Sequence, residues 1–282
     1  MKKIQSKIYG LEILRIILCF WVILFHCLKK PGNKILLFFK RKMFHVPSFF
    51  FISFYFLYPV IINKDIMKKA HRLEKLSISY IFWPLITWII NNIVFIVNGK
   101  SVFGRILTFK DLLKQWIIGR KFYIQYWFLF NLLFFTTIFF ILSLFLVERN
   151  FLIILQLFCL ISYILQYSTY NYLFFDKYTK AITHSIGHFV ETIPIAVSAF
   201  LFNALDITNK LKNFRFISIL YSIIGIYFIL KYDIFSNIEI YGNKYFYSGF
   251  DKNIFSILSF IIFYLIPFDS IRNNKIKEFI SN

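Results

Sequence analysis

Apolar residues in this chain arrive in long blocks rather than in strand-like alternation. Leu11 to Leu28, Phe44 to Ile62, Leu76 to Val97, Tyr126 to Val147, Phe151 to Tyr167, Ile186 to Leu205, Phe216 to Leu230 and Ile254 to Phe268 are such blocks. A helix needs about 20 apolar residues to cross a hydrocarbon layer of ~30 Å. Most of the blocks reach or approach that length, and the last two are short. Charge-rich joints separate them, among them "KKPGNKILLFFKRK", "NKDIMKKAHRLEK" and "ERN". No internal repeat and no soluble block interrupts the series. The pattern predicts an all-α polytopic membrane bundle of about eight, in the range of roughly 8–10, transmembrane helices, organised as a single domain over residues 1–282.

One stretch fits neither description. "NGKSVFGRILTFKDLLKQWIIGRKFYIQ", from Asn98 to Gln125, mixes apolar and basic residues at roughly helical spacing. An interfacial helix, a re-entrant segment and a solvated loop against head groups are all compatible with it.

Composition supports the membrane assignment. Of 282 residues, 59% are hydrophobic and 22% aromatic, and the mean hydropathy is +0.67. A soluble domain of this length would have to expose Phe and Ile on every side. The formal net charge is +20, but the Lys and Arg sit in the joints rather than along one continuous face. Anionic membrane lipids are therefore the expected partner, and no nucleic acid is. Those cations divide almost evenly between alternate joints, so charge bias does not set the orientation. Cys19, Cys27 and Cys159 lie in apolar blocks without metal-type spacing, which argues against a disulfide framework and a zinc site. The opening "MKKIQSK" imitates a secretory signal. Glu12 and Arg15 interrupt the apolar run that follows and no small-x-small cleavage site appears, so the segment is expected to remain as the first membrane helix.

That first helix contains the chemistry. In "EILRIILCFWVILFH", Glu12, Arg15, Cys19 and His26 fall at offsets of 3, 4 and 7 residues, on one side of a helix. Ionisable groups inside a bilayer are costly enough to mark a polar cavity. A histidine that titrates near ~6.5 suits a general base for a hydroxyl. An arginine offers a fixed charge and a fork for phosphate or an oxyanion. Together they suit acyl transfer. The structural alternative has Arg15 and His26 reaching opposite interfaces.

With these residues in view, "LEILRIILCFWVILFH" resembles the opening of the acyltransferase family 3 membrane proteins, where Arg or Lys precedes a His by the same spacing as Arg15 and His26. "HVPSFFFISFYFLYP" is similar to the family's second helix, with Phe54 where glycine is usual. "KKAHRLEKLSISYIFWPLITW" is similar to the basic joint and third helix, with Arg72 kept and Lys75 where a second Arg is common. "YWFLFNLLF" and "ETIPIAVSAFLF" resemble later helices. The resemblance implies transfer of an acyl group, often acetyl, from acyl-coenzyme A to a hydroxyl of an envelope glycan or lipid-linked glycan, at the cell membrane. It implies that His26 activates the acceptor or relays the acyl group. Arg15 and Arg72 would then shape the cavity or grip the donor's phosphates. Lys64, Lys68, Lys69 and Lys75, in the same joint, are further candidates for the polyanionic donor.

"HSIGHFVE" sets His184, His188 and Glu191 on one helical face. It lacks the Glu beside the first His that a helical zinc-protease signature requires, and no metal is expected. Glu191, ahead of Pro194 in an apolar run, and Glu12 are candidates for the acceptor pocket. Trp83, Trp88, Trp116 and Trp127 read as sugar platforms or as an interfacial belt. A multi-pass glycan or lipid transporter, and an inactive homologue, are the competing expectations for the same buried charges.

Overall fold

The structure is a computed structural model that describes residues 9–27, 45–63, 65–100, 103–118, 127–171, 180–232 and 250–266; at 23–27, 118, 163, 165–171, 180–191, 230, 232 and 250–252 it describes the backbone alone. Among these residues there are helices and no strand. In chain order they are α1 (Tyr9–Cys27), α2 (His45–Ile62), α3 (Ile66–Asn98), α4 (Phe109–Ile118), α5 (Trp127–Phe145), α6 (Glu148–Asn171), α7 (Lys180–Ala204), α8 (Ile207–Lys212), α9 (Arg215–Tyr232) and α10 (Phe250–Leu265). Each of the eight apolar blocks contains a helix. Among the described residues three helices, α2, α3 and α5, are long and apolar enough to cross a membrane.

The third block differs from expectation at its start. The basic joint before Leu76 is not a loop: α3 begins at Ile66 and runs 33 residues. Asp65 caps it, accepting the Lys68 N–H at 3.3 Å, and Lys, Ala, Leu and Glu are good helix formers. At its other end Gly99 takes φ +64 and gives its N–H to Phe95 O at 2.8 Å. That left-handed cap is open to glycine at little cost.

The chain forms two compact units whose boundaries fall inside α2 and α7: Met1–Phe56 with Ser198–Asn282, and Leu57–Val197. In the first unit α1 presents Leu11, Leu14 and Leu18, all buried at one helical face, and packs on α10. The α2 sequence is apolar on every side, and 61% of its apolar window is buried, as such a helix requires. Phe51 meets Phe202 and Phe260 with ring centroids 5.4 and 4.8 Å away. Phe54 stacks on Phe50 at 5.9 Å and meets the edge of Phe200 at 6.1 Å. Its ring, at 0% exposure, fills space in the core at the position where the sequence resemblance led to an expectation of glycine. Tyr55 OH bonds Thr208 Oγ1 at 3.0 Å, and Asn203 donates to Tyr55 O at 2.9 Å, fastening α2 to α8 and the end of α7.

In the second unit α3 and α5 pack antiparallel. Lys69 Nζ reaches Ser143 Oγ at 2.9 Å, and Tyr80 meets the Phe130 ring at 5.8 Å. Asn131 donates to Thr192 Oγ1 at 3.3 Å, a buried pair between α5 and α7. Tyr58 OH donates to Glu148 Oε1 at 2.5 Å where α6 begins.

The ambiguous stretch after Asn98 resolves into a helical hairpin: a short turn, then α4 folded back along α3. Thr108 and Asp111 form a reciprocal capping box. The Asp111 N–H reaches Thr108 Oγ1 at 3.3 Å, while Thr108 N–H and Oγ1–H both donate to Asp111 Oδ2 at 3.0 Å. Arg105 Nη1, 3.1 Å from the same oxygen, is the largest cause holding the Asp111 carboxyl down at about 2.

Candidate functional site

The polar positions of α1 flank its buried leucine face. Arg15 Nη1 donates to Glu12 Oε1 at 2.7 Å, one turn back, with side-chain exposures of 36% and 28%. The guanidinium carbon also lies 5.3 Å from the centre of the Phe56 ring on α2. Two contacts therefore fix the arginine: a carboxylate that orients its fork and an aromatic face beneath it. Glu12, expected in an acceptor pocket, is engaged as the partner of Arg15. Cys19, one turn further, is exposed.

His26 lies on the last turn of α1, and its side chain is outside the described residues. Eleven residues separate it from Arg15, which at 1.5 Å per residue is a rise of about 16 Å and a rotation of roughly 20°. The two positions share a helical side and lie about half a bilayer apart.

The cations expected to meet an acyl donor divide on α3. Lys69 is 4% exposed. Its ammonium donates to Ser143 Oγ and faces the Phe140 ring at 5.7 Å, inside the α3–α5 contact. Lys75 is exposed and Arg72 half-buried. Lys68 is 3.2 Å from Asp65, and His71 pairs with Glu74 at 3.3 Å. Met67, Lys68, Ala70, His71 and Glu74 line a shallow groove on this face. The structure does not gather Lys69, Arg72 and Lys75 into one cluster: Lys69 turns into the protein while Lys75 turns outward. A period of 3.6 residues places 69, 72 and 75 at increasing rotation around the helix, and packing against α5 selects only the first. Lys64, Glu191, His184 and His188 are positions whose side chains lie outside the described residues, the last three on α7.

Sequence reasoning passed over the polar clamp that holds the α3–α4 hairpin. Asn92 accepts the Leu107 N–H at 2.8 Å and donates to Leu107 O at 2.9 Å. Trp88 Nε1 donates to the same carbonyl at 2.8 Å, and Asn91 donates to Arg105 O at 3.1 Å. Tyr80 OH donates to Gln115 O and Trp116 O at 3.1 and 2.7 Å, and Trp116 Nε1 to Ile81 O at 3.3 Å. One signal was present: Thr108-x-x-Asp111 ahead of "LLKQWII" is a capping-box pattern that announces a helix start. Asn91 and Asn92 carried no comparable sign, because their partners are backbone groups of a turn that exists only after folding.

No curated protein and no solved structure matches the chain. A family model does, one described as an acyltransferase domain, and it covers residues 8–282. With nearly the whole chain matched, and with an all-helical, strongly apolar architecture of the kind that model implies, the protein belongs to acyltransferase family 3.

Proposed function

We propose that the protein is a multi-pass O-acyltransferase of the cell membrane that moves acetyl from acetyl-coenzyme A to a hydroxyl of a cell-envelope polysaccharide or its lipid-linked precursor. Family membership supports acyl transfer. The observation that carries the residue assignment is the fixed arginine of α1, held by Glu12 and Phe56 on the side of the helix that also contains position 26.

In the reaction His26 takes the proton of the acceptor hydroxyl, and the oxygen attacks the thioester carbonyl carbon. The carbon–sulfur bond then breaks, and coenzyme A leaves as thiolate and recovers the proton from the imidazolium. An acetyl ester and free coenzyme A result. A rise of about 16 Å separates the Arg15 and His26 positions, so Arg15 is assigned to the anionic part of the donor and His26 to the acceptor hydroxyl. The role of Arg15 is to hold the anionic part of the donor, or to position the helix. Arg72 and Lys75 are assigned to donor phosphates from the family resemblance alone. Lys69 supports that face through Ser143, and Glu191 is retained for the acceptor side.

The test compares ester-linked acetyl on surface glycan from cells making the wild type, His26→Ala and Arg15→Ala at matched protein levels. Loss of acetyl in His26→Ala, with a raised donor KM in Arg15→Ala membranes, is expected. Equal acetylation in all three removes His26 from the mechanism and favours transport or an inactive homologue.

A further inference from the structure

His45, the first residue of α2, is 2% exposed. An imidazole in an apolar core is costly unless polar groups meet it. The neighbouring helix supplies them. Phe51 and Tyr55 of α2 both have ring centroids 4.8 Å from that of Phe260 on α10, and Tyr55 lies 6.1 Å from Tyr264. Successive turns of α2 thus meet successive turns of α10, and the two helices run in the same direction. One turn back from Phe51 and Phe260 come Ser48 and Ser256, and a second turn back come His45 and Asn253. All four are buried. They form a polar layer beneath the aromatic one. Asn253 Oδ1 has no hydrogen-bond partner among the described residues, so the layer holds an acceptor in reserve.

The end of α1 comes to the same height. Arg15 lies 5.3 Å from the centre of the Phe56 ring. Six Lys and Arg in the sequence between α1 and α2 forbid a further crossing of hydrocarbon there, so these two helices run in opposite directions. His26 is eleven residues past Arg15, and His45 is eleven before Phe56. Eleven residues of helix rise about 16 Å and end only roughly 20° from the starting direction. Each histidine position therefore stands on the side of its helix that the Arg15–Phe56 contact marks, and the two are level to within about a turn.

We propose that His45 is the positioning residue for His26, a ring nitrogen of His45 accepting the N–H of the His26 imidazole. That bond leaves the other His26 nitrogen bare, ready for the proton of the acceptor hydroxyl. The proton passes from hydroxyl to His26 and on to the departing thiolate, and His45 keeps its own. Ser48, Asn253 and Ser256 satisfy the His45 ring in a layer without fixed charge. The inference rests on the acyl transfer by His26 proposed above.

Membrane vesicles that carry the cell's own surface glycan are given radiolabelled acetyl-coenzyme A, and transfer to glycan is timed over a range of donor concentrations. His45→Leu is expected to lower kcat on the order of 100-fold, the lower end of what a general base contributes, with the donor KM unchanged. His45→Asn and His45→Gln set a carboxamide oxygen near the place of Nδ1 or Nε2, and at least one regains about tenfold of the loss. Unfolding midpoints in detergent are read for all three variants. The inference is overturned by transfer in His45→Leu within about threefold of wild type, or by a loss that falls on the donor KM. It is overturned equally if activity follows the midpoint across the variants, or if both carboxamide variants keep the wild-type midpoint and stay as slow as His45→Leu. Transfer that does not depend on His26 refutes the proposed reaction itself; transfer that needs His26 and ignores His45 refutes only this inference.

Discussion

Asn92→Ala removes a side chain that serves both peptide groups of Leu107. Its carboxamide takes the Leu107 N–H at 2.8 Å and gives to the Leu107 carbonyl at 2.9 Å. Leu107 is buried, and Trp88 remains on the carbonyl at 2.8 Å. The N–H, by contrast, loses its only partner among the described residues. Each bond is worth about 1 kcal/mol net, and a buried donor left unpaired costs about 1–3 kcal/mol. Because the carbonyl stays bonded, the total is about 2–3 kcal/mol. This falls on the hairpin rather than on the whole protein, since only Asn91 and Trp88 of the described α3 side chains then still hold this turn and local opening draws on local contacts. Hydrogen exchange of the α4 amides in nanodiscs reads that opening. At 1.4 kcal/mol per factor of ten, exchange accelerates roughly 30- to 150-fold in Asn92→Ala. Trp88→Phe, which removes one of two donors to an acceptor that keeps the other, costs about 1 kcal/mol and accelerates it roughly fivefold. Amides in the middle of α2 stay at the wild-type rate in both. Exchange in α4 within about threefold of wild type for Asn92→Ala would show that the amide clamp does not hold the hairpin.

Phe54→Ala opens a cavity among Phe50 and Phe200, and about 3–5 kcal/mol is expected to be lost, read as a lowered thermal midpoint in detergent. Gly225→Ala sets a Cβ 2.8 Å from the flexible Leu258 Cδ1; the strain is offset by a helix-propensity gain of about 1 kcal/mol, so the midpoint moves little, whereas Gly225→Ile cannot be relieved by one rotamer and lowers it. The Arg105 guanidinium, with the Thr108 donors, holds the Asp111 carboxyl down at about 2, below the ordinary aspartate value of 3.8. The stabilisation is therefore complete above pH ~4 and is lost as pH falls toward about 2. Acceleration of α4 exchange over that window is expected in the wild type and absent in Asp111→Asn, whose exchange is already fast at neutral pH.

The sequence by itself determined that the chain is helical and that it belongs in a membrane. Apolar blocks can satisfy their backbone groups in hydrocarbon only by coiling, so block length and spacing sufficed to place a helix in each block, whereas α4 and α8 lie outside the blocks. It also singled out Arg15, because a charge inside such a block is legible without any coordinates. The boundary of α3 was less legible, since a run such as "KKAHRLEK" reads as a joint by charge and as a helix by propensity; the Asp65 cap and the contact of Lys69 with Ser143 settle it. What charges face belonged wholly to the tertiary structure. The pairing of Arg15 with Glu12 was within reach of i,i+3 spacing, but its placement over Phe56 joins two helices, and so does the burial of Lys69 against α5. The hairpin shows the same division. Thr108 and Asp111 encode the start of α4 locally, whereas Asn91, Asn92 and Trp88 take their roles from peptide groups that come within reach only when α4 lies back on α3. A helix cap depends on neighbours along the chain and can be read there; a clamp on a distant turn depends on packing, and only the folded chain supplies its partner.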